Sequence, residues 1–170
     1  VQAAETRLDS ATTSDPASFV ITPGGTATTV NSFTFTTDAG TDTITDVTVA
    51  HFNASSTSLI EIVSNDELTV YGSTTTAVGT STVITLSDSV LTANTSTTTY
   101  KIRVTPKSHT ELPSGIYSSD IPINVNILSW TSSNTATGTD SAYQMTIDNQ
   151  ILPSFGLTGS TTYASKVEYN

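Results

Sequence analysis

Apolar and polar residues alternate one by one along much of this chain, beginning near residue 31. Phe33 and Phe35 alternate with threonines, and Val47 and Val49 enclose Thr48. Successive side chains of a β-strand point to opposite faces, so this period of two predicts half-buried strands with one apolar face. Alternating or β-branched residues predict six further strands, over 60–63, 68–73, 82–87, 98–106, 121–130 and 143–148.

Clusters of Gly, Asn, Asp and Ser separate these runs, and no stretch has a convincing helical period. Short strands with regular turn signals favour two antiparallel sheets packed face to face. We therefore predict an all-β fold, an Ig-like or jelly-roll-type antiparallel β-sandwich of about 8–10 strands with extended terminal arms. The predicted core consists of Phe33, Phe35, Val47, Val49, Ile60, Ile62, Val70, Ile84, Leu86, Ile102, Val104, Ile123, Val125, Ile127, Tyr143, Met145 and Ile147.

The strand predicted over 121–130 is irregular near its end. Its isoleucines and Val125 share one parity, whereas Trp130 has the other. A β-bulge near Leu128 and Ser129 would turn the Trp130 ring inward. We expect this ring in the core.

Serine and threonine account for 61 of the 170 residues. Threonine suits the exposed face of a strand and serine suits turns, so this composition builds sheets and loops. Residues 1–17 and 153–162 lack the pattern, and a last alternating run follows at 163–169. We therefore predict an N-terminal arm over 1–17, a sandwich over 18–149, and a C-terminal linker and tail strand over 150–170. Arms of this composition cannot fold alone, so we expect them to become ordered only by docking on their own domain or a neighbour.

The formal net charge is -10, with only five Lys and Arg residues. Nucleic acids and anionic membrane surfaces both require basic clusters, so neither is an expected partner. The sequence also lacks the roughly 18 consecutive apolar residues of a membrane helix. Because it begins at Val1 and contains no Cys, we expect a mature secreted protein, located outside the cell or on its surface, from which a signal peptide has been removed.

Three aspartates, Asp38, Asp42 and Asp46, recur every four residues between two predicted strands. Their carboxylates, with nearby hydroxyls and carbonyls, make calcium a possible ligand. The spacing matches no EF-hand, and aspartates that cap turns explain it more simply. The same two interpretations apply to the adjacent Asp66 and Glu67 on a predicted hairpin. We interpret Asp140 as a turn residue and expect no other cofactor.

Catalysis is not expected. His51 and His109 are the only histidines, and no Gly-x-Ser-x-Gly motif supports a serine nucleophile. We expect His51 to be partly buried and hydrogen-bonded at a strand end, and His109 to lie in a loop. The protein is therefore predicted not to be an enzyme.

Other polar and aromatic groups suggest surface interactions. Lys101, Arg103 and Lys107 lie on or beside one predicted strand, where they would pair with carboxylates of the same or a neighbouring subunit. Asn53 and Asn94 begin glycosylation sequons, which matter only if the source glycosylates Asn. An aromatic platform for surface glycans is an alternative to a buried Trp130, and it would comprise Trp130, Tyr117 and Tyr143.

Three segments carry a resemblance to a known family: 29–38 (TVNSFTFTTD), 100–107 (YKIRVTPK), and 130–134 taken with 146–149 (TIDN). Together they are similar to Ig-like β-sandwich repeats of large bacterial extracellular proteins, over roughly residues 18–149. In such repeats the Ile-Asp-Asn segment leads into the next module. Here a 21-residue tail follows it, which departs from that pattern.

The layout of one sandwich with two extra arms also resembles donor-strand filament subunits, among them the TasA-like matrix proteins and archaeal bundling pilins. This resemblance implies a structural subunit of an extracellular pilus or biofilm-matrix fibre, a head-to-tail homopolymer in which a terminal strand completes the next subunit's sheet. Alternation favours 163–169 as the donor, whereas the filament layout favours the N-terminal arm, which we prefer. The expected interface residues are Val1, Ala3, Leu8, Tyr163, Val167 and Tyr169. The alternative is a monomeric adhesin or carbohydrate-binding surface domain.

Overall fold

The computed structural model describes residues 3–11, 13–113 and 119–149. Within these ranges two single-turn 3-10 helices, Ala54–Ser56 and His109–Glu111, occur among strands, turns and loops. Within the described ranges the strands are β1 (Glu5–Ser10), β2 (Val20–Ile21), β3 (Thr28–Thr37), β4 (Thr41–Ile44), β5 (Asp46–Phe52), β6 (Thr57–Ser64), β7 (Val70–Thr74), β8 (Ser81–Thr85), β9 (Leu91–Asn94), β10 (Thr98–Pro106), β11 (Ile121–Thr131), β12 (Thr135–Thr139) and β13 (Met145–Ile147).

Two sheets form the sandwich. One has the order β12-β1-β3-β10-β6-β7, the other β2-β13-β11-β5-β8, and β4 and β9 form a separate two-stranded ribbon. Most neighbours are antiparallel, while β1–β12 and β2–β13 are parallel. The prediction of an all-β sandwich is confirmed.

The core lies between the two large sheets and contains most of the residues predicted for it. Aromatic rings at its centre pack edge to face: the centroid of Phe35 lies 5.6 Å from Phe33 and 5.2 Å from Trp130. Tyr100 joins this group, and its hydroxyl donates to the carbonyl of Thr92 at 2.6 Å. Burial raises the pKa of Tyr100 to about 12, so this hydroxyl acts as a neutral donor.

The irregularity predicted in β11 is present. The pairing register between β11 and β5 shifts between Ile127 and Ser129, which leaves Leu128 exposed. Beyond the shift, Trp130 is partly buried against the core. The ring is therefore a core group, as expected from its parity and the bulge.

The sequence pattern missed five strands: β1, β2, β4, β9 and β12. All five are short, with two to six residues, and β1, β4 and β12 are rich in hydroxyl or charged residues. Their pairing with neighbouring strands determines them more than their own composition does. Two core predictions were wrong. Tyr143 is exposed and lies outside β13, while Val70, at the start of an edge strand, is only half-buried.

Glu5, close to the first described residue, and Asn149, the last described residue, lie at opposite ends of the sandwich. Glu5 lies beside the loop after β3, where its carbonyl accepts from the Asp38 amide at 3.1 Å, and we call this the amino end. β13 runs towards the start of β11, with Ile147 opposite Ile121. Phe52, the last residue of β5, lies opposite Asn124, so β5 also ends near the start of β11. Asn149 therefore lies at the other end, the carboxyl end.

No helix in the described ranges has the length and apolar character needed to cross a membrane.

Candidate strand-binding site

Strand β1 fills a space between β3 and β12, which we call the β1 slot. It pairs antiparallel with β3, from Thr6 opposite Thr37 to Ser10 opposite Phe33. It pairs in parallel with β12, from Glu5 opposite Thr135 to Asp9 opposite Thr139. In the single chain, residues 5–10 of the predicted N-terminal arm therefore pair within the larger sheet.

The side chains of β1 alternate between the interior and the solvent. Thr6 and Leu8 are completely buried, whereas Arg7 is exposed and forms an ion pair with Asp9 on the outer face. Leu8 belongs to the main core. Burying a leucine contributes roughly 2 kcal/mol relative to leaving it exposed, so β1 is an integral strand of the sandwich.

A buried polar cluster holds the first half of β1. The Thr6 hydroxyl donates to Oδ2 of Asp42 at 2.6 Å and accepts from Nδ2 of Asn134 at 3.1 Å. The other oxygen of Asp42 accepts from the backbone N and the hydroxyl of Ser133, at 3.2 and 2.9 Å. Burial opposes ionisation of Asp42, but the hydroxyls of Ser132, Thr6 and Ser133 outweigh it and lower its pKa. This carboxylate is therefore charged and buried.

A second buried carboxylate, Asp140, lies at the other end of β1. Its Oδ1 is 3.2 Å from the hydroxyl of Ser10, and its Oδ2 accepts from Nδ2 of Asn31 at 2.7 Å and the amide of Ile127 at 2.8 Å. Burial is the main cause that raises the pKa of Asp140 to about 6, and nearby Asp15 adds to it. Asp140 therefore joins the two sheets beside β1 through Asn31 and Ile127, a role that was not predicted when it was interpreted as a turn residue.

Gly138 allows β12 to approach β1 closely. Its φ is +86°, and a Cβ on this residue would lie 2.0 Å from the Leu8 carbonyl oxygen. A side chain cannot occupy that space without moving one of the two strands. The width of the β1 slot thus depends on this glycine.

The structure does not bring the three predicted calcium ligands together. Asp38 is exposed and accepts from the Glu5 amide at 3.0 Å, while Asp46 accepts from the neighbouring Thr45 hydroxyl. Asp42 instead bonds to β1. Across the residues that the structure describes, no group of three or more His, Cys, Asp or Glu side chains is placed to hold a metal ion.

The two sequon asparagines lie at opposite ends of the sandwich. Asn53 is exposed at the carboxyl end, with a φ of 58° and its amide donating to the Pro122 carbonyl at 2.8 Å. Asn94 is half-buried at the end of β9. Glycosylation of either residue stays a prediction.

Only some of the predicted interface residues lie in the part of the chain that the structure describes. Leu8 lies in the core of its own chain, and Ala3 is exposed beside β1. Val1 and the tail residues Tyr163, Val167 and Tyr169 are outside the described residues. The structure therefore describes only the N-terminal candidate for the donor strand.

The remaining predicted groups have local roles. His51 is buried with Nε2 2.8 Å from the Thr82 hydroxyl, and burial lowers its pKa. Lys101 pairs with Glu67 and Arg103 with Glu61. The proposed aromatic platform is not assembled from Trp130, which packs against Phe35, while Tyr117 lies outside the described residues.

Sequence reasoning missed most of the β1 slot: Thr6, Ser10, Asn134, Gly138 and the interior role of Asp140. A signal was present in Thr6-Arg7-Leu8-Asp9-Ser10, where hydroxyl, aliphatic and hydroxyl residues alternate with charged ones. One apolar residue per strand is too weak a hydrophobic pattern to reveal that alternation.

Comparison with known proteins does not identify a family for this chain. No family model matches the chain, and neither does any curated protein. Among solved structures, the chain is similar to the seventh ScaB type I cohesin from Pseudobacteroides cellulosolvens. The identity is 8%, the TM-score is 0.40, and the match covers 88% of this chain and 95% of the cohesin.

Proposed function

We propose that the protein is a non-catalytic structural subunit of an extracellular filament, in which β1 of one copy fills the β1 slot of the next. The slot itself carries the proposal. A terminal strand supplies a core leucine and pairs with β3 and β12. A second copy of the same strand would make identical contacts, so exchange preserves every interaction within the slot.

The path of the chain supports a linear assembly. Glu5 lies at the amino end of the sandwich and Asn149 at the carboxyl end. An exchange between copies is a heterologous contact, and such contacts extend into filaments when the rotation between copies does not close a ring. The hydroxyl-rich, cysteine-free and acidic composition supports an extracellular location.

The linker limits where the neighbouring copy can lie. Nine residues, 11–19, connect β1 to β2, and a fully extended chain spans at most about 35 Å from Ser10 to Val20. In the single chain this linker packs on β3: the Ala11 amide donates to the Ser32 carbonyl, and the Asp15 carboxylate accepts from the Ser32 amide. Exchange requires release of these contacts.

Disulfide trapping between copies tests the proposal. Arg7 and Thr36 are directly opposed on β1 and β3, at a separation that suits a disulfide. We would mix the single variants Arg7→Cys and Thr36→Cys, each carrying a tag of different size, and oxidise them after assembly. We expect a species that contains both tags, together with fibres by electron microscopy.

The control pair lies inside the same sheet. Thr34 and Thr99 are opposed on β3 and β10, which are not proposed to exchange, so a mixture of Thr34→Cys and Thr99→Cys should give no such species. If the first mixture cross-links no better than the second, and the wild-type protein is a monodisperse monomer by light scattering, strand exchange is refuted.

The alternative is a monomeric surface domain that acts as an adhesin or binds glycans. The observation that favours it is that β1 already completes the sheet of its own chain. It predicts cross-linking only within a chain carrying both cysteines, and a saturable glycan or protein ligand.

A further inference from the structure

Two buried carboxylates face the β1 slot, one near each end. Asp42 is 2% exposed and Asp140 is 9% exposed. The hydroxyls that reach them belong to Thr6 and Ser10 of the same strand. These residues are four apart, so they lie on one face of β1, on either side of the buried Leu8.

We infer that the β1 slot selects its occupant by side-chain chemistry: it takes a strand with a hydroxyl residue, an aliphatic residue and a second hydroxyl residue at alternate positions. The partner is therefore a second copy of the N-terminal strand. This inference rests on the proposed exchange and names the chemical requirement for the exchanged strand.

Selectivity arises from the penalty of a missing donor. A buried acceptor without its hydrogen bond loses more free energy than the bond itself contributes, and the loss is larger for a charged group. Asp42 would lose the Thr6 hydroxyl that donates to its Oδ2 if residue 6 were aliphatic. A strand without hydroxyls at these positions is thus rejected even though it pairs normally through its backbone.

The same chemical requirement decides which of the two terminal segments fits the β1 slot. Residues 161–165 read Thr-Thr-Tyr-Ala-Ser and have hydroxyl groups at the same spacing as residues 6–10. Their central residue is Tyr163, whereas Leu8 occupies a fully buried position. Inserting a larger ring with a polar hydroxyl into a packed core is unfavourable, so the slot favours the N-terminal strand.

Stability of the full chain measures this selectivity without requiring exchange. We expect Thr6→Val and Ser10→Ala each to lower the midpoint of thermal unfolding by about 5–10 °C. Thr6→Ser and Ser10→Thr keep the hydroxyl and should remain near wild type. Matched controls are Thr135→Val on β12 and Ser73→Ala on β7, where both side chains are exposed.

A strand replacement tests the choice between the terminal segments. Residues 5–10 are replaced by the sequence of 160–165, first unchanged and then with leucine at the central position. We expect the first chimera to unfold at least 5 °C below the second. A chimera that cannot fold while the leucine version folds gives the same answer.

Any of three results would overturn the inference. Thr6→Val and Ser10→Ala could lower the unfolding midpoint no more than the exposed controls do, or Thr6→Ser could fail to fold as Thr6→Val does. The third result is an equal unfolding midpoint for the two chimeras. Because these measurements concern the single chain, they can fail while cross-linking between copies succeeds, and the reverse also holds.

Discussion

The two halves of the larger sheet are stabilised by different chemistry. In the centre, β3, β10 and β6 pair over long stretches and bury aromatic and aliphatic side chains. At the β1 slot, one leucine is flanked by two hydroxyl residues that bond to buried carboxylates. Apolar burial in the centre tolerates many sequences, whereas polar contacts in the slot require particular donors. The centre thus determines the fold, and the slot determines which strand can complete it.

The largest expected effect tests the centre. Phe35 is fully buried and contacts Phe33, Tyr100 and Trp130. Phe35→Ala should lower the free energy of unfolding by about 4 kcal/mol, measured by urea unfolding. Phe52→Ala, at an exposed phenylalanine, is the control.

The matching change in the slot is Leu8→Ala, for which we expect about 3 kcal/mol. Amide hydrogen exchange should show β1 opening while β3 and β10 keep their protection. If protection of β10 falls as much as that of β1, the two regions form one cooperative unit and the contrast between them is wrong.

The next effect concerns the width of the slot. Gly138→Ala places a Cβ against the Leu8 carbonyl oxygen and forces a positive φ on a non-glycine residue. We expect a loss of about 3 kcal/mol, with weakened β1–β12 protection in hydrogen exchange. Gly79→Ala shares the positive φ but has open space around it, so the difference between the two variants measures the contact alone.

The contrast also explains what the sequence could predict. Buried apolar side chains alternate from Tyr100 to Pro106 in β10 and from Ile121 to Ile127 in β11. The existence of both strands, their inward faces and the bulge before Trp130 therefore followed from the pattern. β1 has a single aliphatic residue between Arg7 and Asp9. Its position depends on partners about 130 residues away, such as Asp140 and Ser141, and local periodicity contains no information about such distant contacts.

A smaller effect, dependent on pH, comes from Asp140. Its pKa is raised from 3.8 to about 6 in the folded protein, so the folded state binds a proton more tightly than the unfolded state. The stabilisation from this proton is complete below about pH 4 and is lost as the pH rises through about 6. The difference amounts to at most about 3 kcal/mol.

Urea unfolding of wild type and Asp140→Asn at pH 4.5, 6 and 7.5 measures this term. The wild-type free energy of unfolding, minus that of the variant, should fall with rising pH. Asp15 also faces this site, and burial raises its pKa. Because Asp15 contributes to the Asp140 shift, the difference between the two proteins includes the coupling of the two carboxyl groups. Asp88→Asn, which removes one exposed carboxylate, controls for net charge. A pH-independent difference contradicts the assignment.

The smallest effect compares one ion pair from each region. Arg7 and Asp9 on β1 have side chains 61% and 41% exposed, whereas Arg103 and Glu61 in the centre are 22% and 11% exposed. Arg7→Gln should leave the unfolding midpoint unchanged, because solvent screens exposed pairs. Arg103→Gln removes a bidentate partner from a nearly buried carboxylate and should cost about 2 kcal/mol. Equal losses of unfolding free energy for the two variants, measured by urea unfolding, would show that the ion pair on the outer face of β1 contributes as much to stability as the pair in the centre. A larger loss for Arg103→Gln would indicate that Thr6, Leu8 and Ser10, and not the surface ion pair, stabilise β1 in the sheet.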